Sequence, residues 1–401
     1  MKPGHQVLLL QGGAAFFPAL VDAIDNSVHE VRLETYIFHF EASGERVAEA
    51  LVRAARRSVA VYLVMDGVGT PEVPEAWAQR FAEAGVHWHR FSPLGSLGYL
   101  LPVRWRRLHR KLCVVDARVA FCGGINILDD FVDPHYGRQA SPRFDFAVQV
   151  CGPLVADAHR AASQFWRRMQ ATRQLEHLQL GGAHEFLMES IQPLCVPAQL
   201  AHDTNAPQSA GAMAALVLRD NVRNRTRIER AYRKAIGEAR QEVLIANAYF
   251  LPGGKLRRAL IHAARRGVRV RLLLQGRYEY FMQYHAARPV FGALLAAGVE
   301  IHEYSLGFLH AKVAVVDGRW ATVGSSNLDP LSLLLAREAN VVVEDVPFAQ
   351  TLRAQLTQAI ESQGVRLDAS LYALRPWRQR CLDRLAYGLM RLGLFLTGRR
   401  Y

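Results

Sequence analysis

Two distant segments of this chain repeat each other. Ala50 to Gly67 reads ALVRAARRSVAVYLVMDG and Ala259 to Gly276 reads ALIHAARRGVRVRLLLQG, an offset of 209. Each copy sets a basic amphipathic helical run before an apolar strand that ends in glycine. An AGV turn and a short strand follow in both halves, at Ala84-Gly85-Val86 and Ala297-Gly298-Val299. Upstream, the strand-like Glu30 to Tyr36 parallels Glu242 to Tyr249. The duplicated β-α-β unit implies an α/β fold of two tandem sandwich modules facing each other across a pseudo-two-fold axis. Near-continuous apolar strands, such as Lys111 to Val115 and Lys312 to Val316, are then buried beneath helices.

The chain has 401 residues, half of them hydrophobic, which suffices for two cores. Between Ala183 and Gly211 the periodicity gives way to Pro193, Pro197 and the run Asp203 to Pro207, the punctuation of a connection. The first module is therefore expected over 1–205, the second over 206–370, and a basic amphipathic tail over 371–401.

Each half carries one copy of a pattern: His-x-Lys, four residues, Asp, six residues, then Gly-Gly/Ser-x-Asn. The copies are His109, Lys111, Asp116, Gly123, Gly124, Asn126 and His310, Lys312, Asp317, Gly324, Ser325, Asn327. The separations His109 to His310 and Asp116 to Asp317 are both 201. A lone strand histidine is usually a hydrogen-bonded core residue, but two copies with identical spacing point to chemistry. Residues two apart on a strand share a face, so each His-Lys pair projects together. Imidazole attacks phosphorus or transfers a proton near neutral pH, ammonium neutralises non-bridging oxygens, and the amides of Asn126 and Asn327 add donors to a phosphate. Asp116 and Asp317 end their strands at turns, where an Asx-turn or ion pair accounts for them. Downstream of each motif one acid sits amid apolar residues, Asp145 and Glu338, suited either to orienting a catalytic imidazole or to a strand-edge ion pair.

These motifs resemble the phospholipase D superfamily over essentially the whole chain, and within it the short two-module bacterial cardiolipin synthases. The resemblance is carried by Leu33 to Phe38, Met65-Asp66-Gly67, Arg107 to Lys111, Gly152-Pro153 and Gly324 to Ser332. It implies a catalytic set of His109, Lys111, Asp116, His310, Lys312 and Asp317 at the interface of two phospholipase D-like modules. It further implies a phosphatidyl-histidine intermediate with no metal and no cofactor. By the same resemblance His109 is the nucleophile and His310 the general acid and base. Phosphatidylglycerol is the acceptor, and either phosphatidylglycerol or phosphatidylethanolamine the donor.

The net charge of +13 invites an anionic partner, lipid or nucleic acid. Five scattered cysteines without CxxC spacing argue against a disulfide framework or zinc site and fit a reducing compartment. No signal peptide or run of about 20 apolar residues is visible, so contact with a membrane is expected to be peripheral, on the cytoplasmic face of the bacterial inner membrane. Two segments fit that contact. Within Phe91 to Arg107 the first half is 12 residues longer than the second, adding Leu97, Tyr99, Leu100, Leu101 and Trp105 beside Arg104, Arg106 and Arg107. The tail from Arg375 to Tyr401 mixes leucines with arginines, as a basic interfacial helix or a helix docked on the second module. Tyr278, Tyr280, Phe281, Met282 and Tyr284 suit an acyl or acceptor channel, or aromatic packing. The competing functions are lipid hydrolysis, a nuclease of the same superfamily, and a silent scaffold; the last would tolerate loss of a motif residue, and both motifs are intact.

Overall fold

A computed structural model describes residues 1–93, 105–133, 136–176, 211–220, 224–277, 281–329 and 336–396. The first half runs β1 (Lys2–Gln11), α1 (Gly12–Asp25), β2 (Glu30–Thr35), α2 (Ser43–Arg56), β3 (Ala60–Asp66), α3 (Glu75–Ala84) and β4 (His87–Phe91). It continues with β5 (Arg107–Leu108), β6 (Lys111–Val115), β7 (Val119–Gly123), the small hairpin β8 (Val132–Asp133) and β9 (Gly137–Arg138), then β10 (Phe146–Cys151) and α4 (Leu154–Glu176). The second half repeats the order: β11 (Ala212–Arg219), α5 (Arg227–Glu238), β12 (Glu242–Asn247), α6 (Gly254–Arg265), β13 (Arg269–Gln275), α7 (Phe281–Leu295), β14 (Glu300–Tyr304), β15 (Lys312–Val316), β16 (Trp320–Gly324), β17 (Ala336–Glu344) and α8 (Val346–Gln363). It closes with β18 (Gly364–Arg366), α9 (Ala369–Ala373) and α10 (Trp377–Leu396).

Sequence periodicity explains the elements. In α2 the apolar face Val47, Leu51, Ala54 and Ala55 recurs at helical spacing and is buried, while Arg53 and Arg56 face outward near the helix end, where they complement its dipole. The motif strands β6 and β15 are buried at every residue, as strands covered on both faces must be.

The sheet orders also match: β1-β10-β7-β6-β2-β3-β4 in one half and β11-β17-β16-β15-β12-β13-β14-β18 in the other. In each half three parallel strands continue into an antiparallel set. What the repeat did not foretell is the seam. Strands β1 and β11 pair antiparallel, with Lys2 opposite Ala214 and His5 opposite Ala212, so the two sheets run on as one strand path. His5 stitches this seam: its Nδ1 lies 3.1 Å from the Ala212 carbonyl, and its Nε2 accepts the amide of Leu154 at the start of α4. One apolar cluster joins Val148, Val150, Val155 and Ala158 to Val313, Val341, Leu352 and Leu356, so the halves share a core. The expected boundary near 205 lies outside the described residues.

Asp116 and Asp317 hold turns. Asp116 accepts the amides of Val28, His29 and Glu30 at 2.8–2.9 Å, and Asp317 those of Arg240, Gln241 and Glu242 at 2.8–2.9 Å. Both have positive φ, 49° and 51°, at the end of the motif strand remote from its lysine. That strand separates each from its His-Lys pair by roughly 17 Å. Their place beside histidine and lysine in the catalytic set is thus corrected to a clamp on the turn that feeds β2 or β12.

Burial pushes the Asp317 carboxyl up, but the three amides outweigh it and hold it below the ordinary range. A depressed folded value means that the stabilisation is present above the unfolded value of about 4 and is lost as pH falls through the folded one. Asp317→Asn is expected to cost about 2 kcal/mol at pH 7. Urea midpoints of the two proteins should converge as pH is lowered toward 2–3, and an equal gap at both pH values would refute the clamp.

Candidate active site

Each catalytic-type histidine sits just before its strand. The backbone amide of His109 bonds the carbonyl of Arg337, and that of His310 bonds the carbonyl of Phe144, at 3.1 and 2.9 Å. Arg337 and Phe144 immediately precede Glu338 and Asp145. The segment carrying each imidazole is therefore pinned beside the acid of the opposite half, and β5 pairs with the start of β17 to the same effect.

The side chains cross in the same way. His109 Nδ1 lies 3.0 and 3.2 Å from the two oxygens of Glu338, and His310 Nδ1 lies 2.6 Å from Asp145 Oδ2. The carboxylates are almost fully buried, at 0% and 2% of side-chain exposure, whereas the imidazoles keep 15% and 18%. Acids behind and imidazoles in front leave each Nε2 as the nitrogen free of the carboxylate. Sequence reasoning named both acids as candidates; the structure shows that each serves the histidine of the other module.

The lysines close the cluster. Lys111 Nζ donates to the His109 carbonyl at 2.8 Å, and Lys312 donates to that of His310. The two motifs are near enough that Lys312 acts electrostatically on His109 and Lys111 on His310. Burial lowers Lys111 to about 7, with Glu338 opposing and Lys312 adding to the fall. Burial also depresses His109, against the pull of Glu338, and takes His310 well below its ordinary value, with Lys312 and Lys111 adding.

The two pairs differ in their proton. Burial would raise Glu338, but His109, Lys111 and the hydroxyl of Ser325 outweigh it and keep the acid ionised. Ser325 Oγ donates to Glu338 Oε2 at 2.5 Å. Among the described residues no hydroxyl donates to Asp145: the position matching Ser325 is Gly124, where a Cβ would collide with Asp145 Oδ1. Burial raises Asp145 to about 7, against Lys312 and the Phe146 amide. For so close a pair the proton belongs to Asp145 and His310 jointly. The His310–Asp145 pair thus sheds its proton near pH 7, whereas the depressed His109 and ionised Glu338 have already lost theirs there.

Asn126 and Asn327 follow the glycine turns and are buried. Asn126 Oδ1 accepts the Ile37 amide, which leaves its NH2 as the end not used in that bond. Asn327 Oδ1 is buried with no hydrogen-bond partner among the described residues. Of the residues suggested for lipid contact, 94–104 and 278–280 lie outside the described residues. Phe281 and Met282 are 48% and 37% exposed at the start of α7.

Sequence reasoning missed several supports. Tyr36 places its ring 5.0 Å from His109 and 5.4 Å from Lys111 Nζ. Its signal was its place at the end of the first repeated strand. Asp66, fully buried, accepts the Leu108 amide at 2.6 Å and the Arg107 guanidinium at 3.2 Å. The repeat puts Gln275 at the matching position, and its Nε2 reaches the Leu309 carbonyl at 3.5 Å. Each brace grips the residue before a motif histidine.

The family model described as cardiolipin synthase, PLD-like domain, matches residues 20–133 and 232–360. Cardiolipin synthase B of Salmonella typhi and that of Escherichia coli strain K12 are each 36% identical over 400 residues, 97% of this chain and 89% of theirs. Cardiolipin synthase A of Pseudomonas putida strain GB-1 is 32% identical over 89% of this chain and 69% of its own. Among solved structures, a phosphatidylserine synthase of Haemophilus influenzae Rd KW20 superimposes with a TM-score of 0.68 at 12% identity, covering 97% of this chain and 93% of that one. A polyphosphate kinase of Porphyromonas gingivalis gives 0.57 at 14% identity, covering 96% and 53%. These last two likenesses concern the fold.

Because Glu338 raises the pKa of His109, Glu338→Gln should lower it further, by about one pH unit or more. Titration of 15N-labelled histidine by NMR should show that fall for His109 with a smaller change for His310. Equal shifts of both imidazoles would contradict the crossed pairing.

Proposed function

The chain belongs to the cardiolipin synthase, phospholipase D-like family, and on that premise we propose that it transfers a phosphatidyl group to phosphatidylglycerol through a covalent phosphohistidine. The observation that carries this reading is the unequal pair of histidine–carboxylate dyads, set close enough for one imidazole to act electrostatically on the other. Double displacement on phosphorus requires a nucleophile that is unprotonated and an acid that is protonated at the same pH.

His109 takes the first role. With Nδ1–H donated to ionised Glu338, its Nε2 lone pair attacks the donor phosphorus, forming the P–N bond. Glu338 then stabilises the cationic N-phosphorylated ring. The P–O bond to the headgroup breaks, and the His310–Asp145 pair delivers its proton to the departing alkoxide. Glycerol leaves if the donor is phosphatidylglycerol, ethanolamine if it is phosphatidylethanolamine. Lys111, Lys312 and the amides of Asn126 and Asn327 neutralise the non-bridging oxygens. In the second half His310, now the base, removes the proton of the terminal hydroxyl of phosphatidylglycerol. The oxygen attacks phosphorus, the P–N bond breaks, and cardiolipin is released with His109 restored. Water in place of the lipid alcohol gives phosphatidic acid by the same route. No step draws on a metal ion or cofactor. The protein works from the cytoplasmic face of the membrane as a peripheral enzyme; no helix among the described residues is long and apolar enough to cross a bilayer.

Purified protein given labelled phosphatidylglycerol, with and without phosphatidylethanolamine and with chelator throughout, should form cardiolipin. His109→Ala and His310→Ala should each lose at least about a thousandfold of that rate. A labelled phosphoenzyme trapped by rapid alkaline quench should persist in His310→Ala and vanish in His109→Ala. Phosphatidic acid alone would make the enzyme a hydrolase, and absence of any lipid turnover would redirect the search to nucleic-acid phosphodiesters.

The pH profile follows from the same groups. Both Lys111 and the His310–Asp145 pair lose a proton near 7 in the free enzyme, so kcat/KM should fall as pH rises through that value, with a slope between one and two. Lys111→Arg, which stays charged, should reduce the slope to one. A profile flat to pH 9 would remove the pair as the acid.

A further inference from the structure

We infer that α10 is an in-plane anchor for an anionic phospholipid bilayer and holds the mouth of the active site against it. The helix has two exposed flanks and one docked one. Asp383, Ala386, Tyr387 and Met390, spaced three, one and three, turn toward the second half and join its core or its ion pairs. Asp383 is buried and binds His285 Nδ1 at 2.7 Å and Arg375 at 2.9 Å.

On another flank Leu382, Leu385, Leu389 and Leu392, spaced three, four and three, share a side of the helix and remain 38–59% exposed, with Trp377 at 70% preceding them. A stripe of four leucines in water is costly for a protein that has already filled its core. A third flank carries Arg380, Arg384 and Arg391, all exposed. The sole acidic residue of α10 is the buried Asp383, so every exposed charge from Trp377 to Leu392 is positive. Leucines beside arginines, with no outward acid, complement a surface that is apolar within and negative at its rim. A second protein copy presenting the same helix would set arginines against arginines.

The position of the helix relative to the catalytic cluster gives this surface a purpose. Gln275, which ends β13, bonds the Leu309 carbonyl beside His310. The chain then starts α7 at Phe281, with Phe281 and Met282 exposed, and His285 one turn later receives Asp383 of α10. The leucine stripe is thereby fixed to the helix that rises from the catalytic end of the sheet. Phe281 and Met282, exposed one turn before His285, would join the same membrane contact if the bilayer lies along both helices. This inference rests on the reading of bilayer lipids as substrates, but its test does not require turnover.

The double variant Leu385→Glu/Leu389→Glu alters only exposed positions and should fold as the parent does, judged by thermal midpoint. Co-sedimentation with vesicles of phosphatidylglycerol and phosphatidylcholine should show its binding reduced at least about tenfold. Arg380→Gln/Arg384→Gln/Arg391→Gln should weaken binding at low salt and flatten its salt dependence. Turnover of a short-chain lipid below its micellar limit should match the parent for both variants; its failure in the parent itself would fault the proposed reaction, not the anchor. Unchanged vesicle binding in the leucine variant would overturn the inference. So would a shift from dimer to monomer in light scattering with binding intact, which would assign the stripe to a second copy.

Discussion

The structure turns on one arrangement, the exchange of carboxylates between halves. Neither histidine is completed by its own module: Glu338 comes to His109 and Asp145 to His310, each at hydrogen-bond distance and each buried. A buried carboxylate without its cationic or donor partner costs about 3–5 kcal/mol. Separation of the halves would strand both acids, together with the two buried lysines beside them. The interface is thus an electrostatic necessity as well as an apolar one, and the β1–β11 seam and shared valine-rich core keep the distance fixed. Orientation follows at little further cost, since each imidazole is held by its backbone amide and by its Nδ1 at once.

Duplication supplies two equal dyads, and small departures from symmetry make them unequal. A serine stands at 325 where the first half has Gly124, and a glutamate at 338 where it has Asp145. The longer acid leaves room for a hydroxyl, and the hydroxyl stabilises its charge; the shorter acid presses on a residue that must lack a side chain. One dyad consequently gives up its proton at lower pH than the other, whose acid is raised to about 7. Asp66 and Gln275 depart in the same manner. A carboxylate receives an amide before His109, whereas an amide donates to a carbonyl before His310. The buried Asp66 adds negative charge near Lys111, which Gln275 cannot do for Lys312.

Much of this was legible in the sequence because repeats expose constraint. Identical spacing of His109, Lys111 and Asp116 with His310, Lys312 and Asp317 located the chemistry, and the helix-strand repeat located the α/β halves. Asp145 and Glu338 were recognisable as lone acids in apolar strands. Their crossing was not, since a periodic pattern states which face a residue occupies and says nothing of which strand faces it. Tyr36, Asp66 and Gln275 stand at strand ends, where periodicity stops and tertiary contact decides. The β1–β11 seam joins termini of two repeats, and no local signal marks a pairing between residues about 210 apart. Asp116 and Asp317 were legible from their place at strand ends, which marked them as turn residues although the family resemblance put them in the catalytic set; the amides they accept agree with the turn reading.

The cluster also explains why an anion should enter it. Lys111 and Lys312 face each other's charge in a buried site, and burial together with that neighbouring charge brings Lys111 down to about 7. Lys111 and Asp145 both titrate near 7, so the charge of the site is finely balanced around neutrality. A phosphodiester would bring a negative charge beside these groups. Its arrival would favour the protonated state of Lys111 and raise the population of imidazolium at His310. Because this compensation occurs away from solvent, salt should screen it far less than it screens the outward arginines of α10. The structure therefore separates two kinds of basic group that composition merges into one net charge: outward arginines on α10 that salt can screen, and buried lysines at the histidine cluster that it largely cannot.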